Sequence, residues 1–351
     1  MTSEEIFFAP RDDTGIIAFV LVTRLVFDLN ISRCYKFKVR LRMNENIFSS
    51  QEISCIVNPQ AANKKWQRRK KLKGYLLKNL PCKIIDFQGS KEETVEVARK
   101  QSLTQKIIVA VGGDGTVADV IQGIIEARRE KDVILGIVPF GSGNAFRKSL
   151  GIPKSIKKAI KLLKEGETRE IDLIDIEGKV TGIASIGATA KVTQEKLQRK
   201  IQGFLGHILA SRIMPSLPKT EQQIELFDGI SDNGEHFDKK TLNLRLFECV
   251  VGKTTYFGYS WKVSPRAKID DGYLDITLYE TSGLKYLLFF PLIYFGLYQK
   301  TQKHFKAKKM IIRGKDLPVQ YNGEFLGMKD KFEFRVLPRA LKIISPRNDK
   351  Q

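Results

Sequence analysis

Two glycine-rich stretches carry the clearest chemistry in this sequence. In Val109-Ala110-Val111-Gly112-Gly113-Asp114-Gly115-Thr116 an apolar run enters a glycine turn and then a helix-forming stretch. Residues without a Cβ let backbone N–H groups approach a phosphate closely, and the start of the following helix adds its positive dipole end. Asp114 repels bare phosphate, so its presence points to Mg²⁺, or water bound to Mg²⁺, between the two anions. The second stretch, Pro139-Phe140-Gly141-Ser142-Gly143-Asn144, supplies a hydroxyl and an amide that suit phosphate or ribose. Each stretch also reads as a plain structural turn, the second as a helix N-cap before Ala145 to Leu150. Neither is a Walker A loop, since no Gly-Lys-Ser/Thr closes it, and neither has Gly-x-Gly-x-x-Gly spacing.

Other reactive side chains are sparse. The four cysteines, Cys34, Cys55, Cys82 and Cys249, form no C-x-x-C pair, which argues against a disulfide framework and a zinc site and favours a reducing cytoplasm. Three histidines, His207, His236 and His304, show no H-E-x-x-H spacing, so any metal must be held by oxygen. Asp270-Asp271-Gly272 reads by itself as a hairpin turn, and Glu324 as a turn carboxylate. Sixty Lys and Arg against 39 Asp and Glu give a formal charge of +21, which attracts phosphates, nucleic acid or anionic membrane without choosing among them.

Elements must bring these residues together. Strands are expected at 53–57, 83–86, 106–111 and 134–138, with helices at 66–80, 91–101 and 117–129 between them. Such alternation predicts parallel βαβ units in an open doubly wound sheet, with ligands at the carboxyl ends of the strands. Past Gly166, short strands at 170–176, 241–251 and 274–279 predict a mostly antiparallel second domain, interrupted by helices at 195–214 and from Leu284 to about Lys300. With 351 residues, the chain exceeds one compact domain.

Taken in order, Gly112-Gly113-Asp114-Gly115-Thr116, Gly141-Ser142-Gly143-Asn144, Asp271-Gly272-Tyr273 and Gly323-Glu324 resemble the motifs of the diacylglycerol kinase and sphingosine kinase superfamily. Asn58-Pro59 is similar to the turn that ends that family's first strand, and the resemblance spans about Ile53 to Pro346. It implies a magnesium-dependent kinase that moves the γ-phosphate of ATP onto a lipid hydroxyl. The implied fold is α/β plus β: a nucleotide-binding domain (52–165 and 320–346), then a β-sandwich-like lipid-substrate domain (166–319), with the last strand returning to the first domain. By the same resemblance Glu324 is the general base and Asp114 acts beside the nucleotide, which Asn58, Gly112, Gly113, Gly115, Thr116, Gly141, Ser142 and Asn144 bind. A second, structural Mg²⁺ is implied on Asp271, with the carbonyls of Lys268 and Tyr273.

Departures from the pattern bear on the lipid. Asn322 stands where the family usually has Asp, and Ala188 to Lys191 carries no acid where sphingosine kinases place the aspartate that recognises an amino-alcohol. A cationic substrate meets Lys191 instead, so diacylglycerol, giving phosphatidate, is favoured over a sphingoid base. Tyr286 to Tyr298 is almost wholly apolar and is followed by Lys300, Lys303, His304, Lys306, Lys308 and Lys309. That suits an interfacial helix on an anionic membrane or a buried helix with a basic exit. The expected partners are therefore a lipid and the inner face of the cell membrane, with no nucleic acid and with a homodimer left open. Segment 1–51 lacks a secretory signal, and its run Ile16 to Val22 is too short to span a bilayer. Rival readings are an NAD kinase-like enzyme, which shares the Gly-Gly-Asp-Gly turn, and a non-catalytic membrane-binding protein.

Overall fold

The computed structural model describes residues 53–59, 70–80, 82–85, 87, 89–141, 144–200, 206, 209–258, 261–295, 297 and 302–347. The expected amino-terminal extension lies outside the described residues, as do Trp66, Ser142, Gly143 and Lys300. The first half alternates strand and helix: β1 (Ile53–Val57), α1 (Lys70–Asn79), β2 (Lys83–Ile85), α2 (Lys91–Ser102), β3 (Ile107–Gly112), α3 (Asp114–Glu126), β4 (Ile134–Pro139), α4 (Ala145–Ser149) and α5 (Ile156–Glu165). Its strands are parallel in the order β4-β3-β1-β2. β1 and β3 are buried throughout, which explains their mainly apolar sequence, and the buried Ser54 hydroxyl donates to Gln101 Oε1 at 2.7 Å. Ser90 fixes the start of α2, its Oγ accepting from the Glu93 N–H at 3.1 Å while the Glu93 carboxylate accepts from the Gly89 N–H at 3.0 Å.

The second half is strand-rich: β5 (Glu167–Ile176), β6 (Lys179–Thr181), β7 (Ile183–Gly187), α6 (Ala188–Gln198), a 3₁₀ turn at Ser211–Ser216, β8 (Thr220–Ser231), β9 (His236–Leu246), β10 (Glu248–Gly252), β11 (Leu274–Tyr279), α7 (Gly283–Leu288), α8 (Phe290–Phe295), β12 (Lys303–Tyr321) and β13 (Glu324–Ser345). The 19-residue β12 pairs with β11 and β8 over its first part and with β7 at 319–321. Since β10 joins β7 to β11, these strands close on themselves. β13 lies antiparallel to β12 and then to β5, and its end runs parallel to β4 at Lys342 and Ile343. A first core is built on β3, β4 and α3, and Leu341 and Ile343 of β13 complete it; a second gathers Ile186, Cys249, Ile276, Ile312 and Phe334. A mixed α/β chain with an extensive antiparallel sheet is thus what the strand patterning foretold.

Several elements differ from expectation. The helix at 195–214 instead begins at Ala188, because Gly187 takes φ 117° and the Glu248 carboxylate accepts the Thr189 N–H at 2.9 Å. It ends at Gln198, with Lys200 left-handed beyond it, while Gly206, Leu209 and Ala210 within the expected span are helical. The stretch at 241–251 is two strands, since the chain changes partner at Phe247: β9 pairs with β8, and β10 with β7 and β11. The helix from Leu284 breaks at Phe289, where Pro291 has no N–H to donate to Leu287. Residues 303–309 continue as strand, so the supposed basic exit of a helix belongs to β12. Cys55 and Cys82 are joined as a disulfide, which corrects the cysteine reading: the β1–β2 pairing sets their Cα atoms 6.0 Å apart.

Candidate functional site

Parallel pairing of β3 with β4 sets the two glycine turns side by side. Gly112 lies opposite Pro139, and the Phe140 N–H donates to the Gly112 carbonyl at 2.7 Å. A Cβ on Gly141 meets the Gly113 Cα at 2.4 Å, so both turns need glycine to touch. Gly112 has a different reason, since its Cβ collides with the Thr116 side chain at 2.4 Å. At Gly115 a Cβ faces open space. α3 begins at Asp114, and the N–H groups of its first turn have no acceptor within the helix.

Asp114 ties the turns together. Its carboxylate accepts the Phe146 N–H at 3.0 Å and so caps α4 from the neighbouring loop. Burial pushes this carboxyl up, against the N–H groups of Ala145, Phe146 and Asn144 and the charge of Arg147. A carboxylate has about four acceptor positions, so three amides leave room for water around a nucleotide-borne cation, and Asp114 fits that outer contact. Asn144 does not offer its amide outward: at φ 51° its Nδ2 donates to the Gly141 carbonyl at 2.6 Å, closing its own turn. Asn58 is half-buried after β1, with its Oδ1 beside Gly89, which takes φ 91° ahead of α2.

Glu324 opens β13 across a two-residue turn. Asn322 and Gly323 have φ values of 49° and 84°, and Tyr321 lies opposite Glu324, which is the Asn-Gly hairpin geometry that matches strand twist. Lys91 of α2 forms an ion pair with Glu324 and donates to the Tyr321 hydroxyl at 2.8 Å. Both residues line a cleft of about 280 Å³ with Asp119, Gln122 and Asn322. Burial raises Asp119 to about 7, with Lys91 pulling it down and Glu92 pushing it up. A second cavity, lined by Asp114, Phe146 and Tyr256, adjoins this cleft: Ala118 and Asn322 stand in both walls.

The groups expected to hold a structural magnesium are arranged otherwise. Lys253 Nζ lies 2.7 Å from Asp271 Oδ1, 2.7 Å from the Tyr273 carbonyl and 2.9 Å from Asp172 Oδ2. Lys306 donates to Asp271 Oδ2 at 2.6 Å. Burial raises the Asp271 carboxyl, but the two lysines outweigh it and the net shift is downward. Lys268 is exposed. Among the described residues no cluster of His, Cys, Asp and Glu could hold a metal ion, and this donor set does not fit one.

An apolar cavity of about 250 Å³ opens in the β-rich half, walled by Ile183, Val192, Met214, Phe257, Trp261 and Tyr286. Glu248 reaches this wall fully buried; burial pushes it up to about 7 against hydrogen bonds led by the Thr189 hydroxyl. Hydrogen bonds continue from Thr189 to Ser185 and Gln320, whose Oε1 accepts the Gly323 N–H at 3.0 Å, so a polar track joins the cavity to the Glu324 hairpin. Lys191, expected to face the substrate, instead sets its Nζ 3.1 Å from Met328 Sδ. Next to the cavity, Leu284, Leu288, Phe295 and Leu297 are more than half exposed while Tyr286 and Ile293 are buried. The cationic cluster beside them is weaker than its sequence: His304 is buried and lowered to about 4, and Lys303, Lys306 and Lys309 pair with Glu280, Asp271 and Glu333. Among the described residues no helix is long and apolar enough to cross a membrane.

Sequence reasoning missed Lys91, Asp119, Asp172, Lys253 and Glu248. Asn322-Gly323 between apolar strands signals a hairpin and could have located the Glu324 turn as rigid. Nothing local marks the partners of Lys91 or Lys253.

Residues 52–176 match the diacylglycerol kinase catalytic domain, and residues 233–345 match the YegS C-terminal NAD kinase beta sandwich-like domain. A diacylglycerol kinase of Staphylococcus saprophyticus is 29% identical over 267 residues, covering 74% of this chain and 83% of that protein. One from Staphylococcus aureus is 29% identical over 263 residues, covering 73% and 79%. A crystal structure of a diacylglycerol kinase from Bacillus anthracis superposes with a TM-score of 0.64 at 20% identity, over 84% of this chain and 97% of that one, a likeness of fold.

Proposed function

We propose that this chain, which carries the diacylglycerol kinase catalytic domain and the YegS C-terminal domain, transfers the γ-phosphate of ATP to a lipid hydroxyl, with diacylglycerol as the favoured acceptor and phosphatidate as product. The observation that carries this reading is the shared wall of Ala118 and Asn322 between the cavity at Asp114 and the cleft at Glu324. Phosphates meet the free N–H groups at the start of α3 beside Gly115, in the part assigned to the nucleotide (52–165 and 320–346). Asp114 would hold a nucleotide-borne magnesium ion through water, and that ion would supply charge neutralisation at the transferring phosphate. Glu324 accepts the hydroxyl proton, and Lys91 lies where it offsets charge developing on the phosphate. In the lipid-binding part (166–319), the apolar cavity takes an acyl chain, and the exposed leucines and Phe295 rest on the inner leaflet.

A second reading, a sphingoid-base kinase, is favoured by Glu248, the one carboxyl among the described residues lining this largely apolar cavity, where the sequence offers none at 188–191. Both are tested by incubating the protein with labelled ATP, Mg²⁺ and a total lipid extract. Label on diacylglycerol supports the first reading and label on a long-chain base the second. Label on no lipid, from protein that binds ATP, overturns both.

A further inference from the structure

We propose that Lys253 replaces a structural divalent cation, so that a side-chain ammonium holds together the segments a metal would otherwise join. An ammonium has three N–H donors. At Lys253 two of them have an acceptor, Asp271 Oδ1 at 2.7 Å and the Tyr273 carbonyl at 2.7 Å, and the ammonium also forms an ion pair with Asp172 Oδ2 at 2.9 Å. Lys253 and Asp172 are each 1% exposed, so water does not compete. The acceptors come from the turn after Asp270 and from β5, while the backbone of Lys253 is itself anchored, its N–H donating to the Gly182 carbonyl at 2.8 Å.

Charge closes the argument. Asp172 and Asp271 carry two negative charges, and Lys253 and Lys306 carry two positive charges, so the cluster is neutral as it stands. A divalent ion added here sits against two ammonium groups in a buried site and must displace Lys253 to reach its oxygens. Asp172 extends the same clamp. Its Oδ2 also accepts the Gly272 N–H at 2.7 Å, and its Oδ1 accepts the Arg339 N–H at 2.8 Å, tying the 270–273 turn to β13. The side chain therefore supplies directionality as well as charge. This inference concerns the fold's own cation and stands whether or not the lipid reading holds.

The test compares nucleotide-free wild type, Lys253→Ala and Lys253→Met by thermal unfolding in EDTA and in millimolar MgCl₂, with calorimetric titration of Mg²⁺. Wild type is expected to melt at the same temperature in both buffers and to show no Mg²⁺ site. Lys253→Ala leaves two carboxylates, a carbonyl and space for an ion. It should melt lower in EDTA, gain about 4 °C or more with MgCl₂ and titrate with one site. Lys253→Met fills the space without charge and should be destabilised with no Mg²⁺ rescue. If Lys253→Ala does not fold in EDTA, folding restored by MgCl₂ supports the proposal, and failure in both buffers overturns it. A Mg²⁺-dependent rise in wild type, or a Lys253→Ala protein indifferent to Mg²⁺, also overturns it.

Discussion

Lys91, the first residue of α2, pairs with Glu324, the first residue of β13, across 233 positions of sequence. A cation at a helix N-terminus opposes the helix dipole, so local energetics do not place a lysine there. The pair is more than a third exposed on both sides and contributes roughly 0–1 kcal/mol to stability. It lines the same cleft as Asp119, which is where the proposed proton transfer takes place.

Glu324→Gln is therefore expected to melt within a degree or two of wild type while lipid phosphorylation falls by about 10²- to 10⁴-fold. Lys91→Met should lose about 10²-fold with a similarly unchanged melting temperature. Turnover near wild type in Glu324→Gln rejects its role as base.

The glycine turns separate packing from ligand approach. Gly141→Ala drives a Cβ to 2.4 Å from the Gly113 Cα and should cost about 1–3 kcal/mol in denaturant unfolding. Gly115→Ala meets nothing within 4 Å and should be as stable as wild type or slightly more so. ATP binding, followed with a fluorescent analogue, should nevertheless weaken at least tenfold, about 1.4 kcal/mol, in Gly115→Ala. Unchanged binding there moves the phosphates elsewhere.

Asp119 links stability to pH. Its folded value is raised from 3.8 to about 7, so its stabilising share is complete below about pH 4 and is lost as pH rises through 7. Asp119→Asn should flatten part of this decline and gain on the order of 1–4 kcal/mol at pH 8. Glu248, raised by burial to about 7, leaves a parallel slope in that variant. Urea unfolding at several pH values reads the effect, and a slope identical to wild type contradicts it.

Leu288 and Phe295 are 69% and 62% exposed, so charging them does not disturb the core. Leu288→Glu combined with Phe295→Glu should keep the melting temperature and lower binding to phosphatidylglycerol vesicles by tenfold or more in sedimentation. Binding equal to wild type places the membrane contact on another face.

Short-range features were legible in the sequence. Apolar runs marked β1, β3 and β4, the Gly-Gly-Asp-Gly and Gly-Ser-Gly-Asn spacing marked two turns at strand ends, and Leu274–Tyr279 was read to the residue, because sterics and burial period act within a few positions. The start of α6 was missed because its N-terminal acceptor, Glu248, lies 59 residues away from Thr189.

What only the tertiary structure decided is which charge meets which. From composition, Lys253 is one of 60 basic residues, and His304 joins a cationic run. In the fold the first is buried on two carboxylates and the second is buried and lowered to about 4. Strand register and chain crossing set these partners, and a charge far from its partner in sequence carries no local sign of it. The sequence by itself specified where the glycine turns form; the pairing of Tyr321 with Ala184 of β7 and with Glu324 determined that a carboxylate near the carboxyl terminus stands across a shared wall from them.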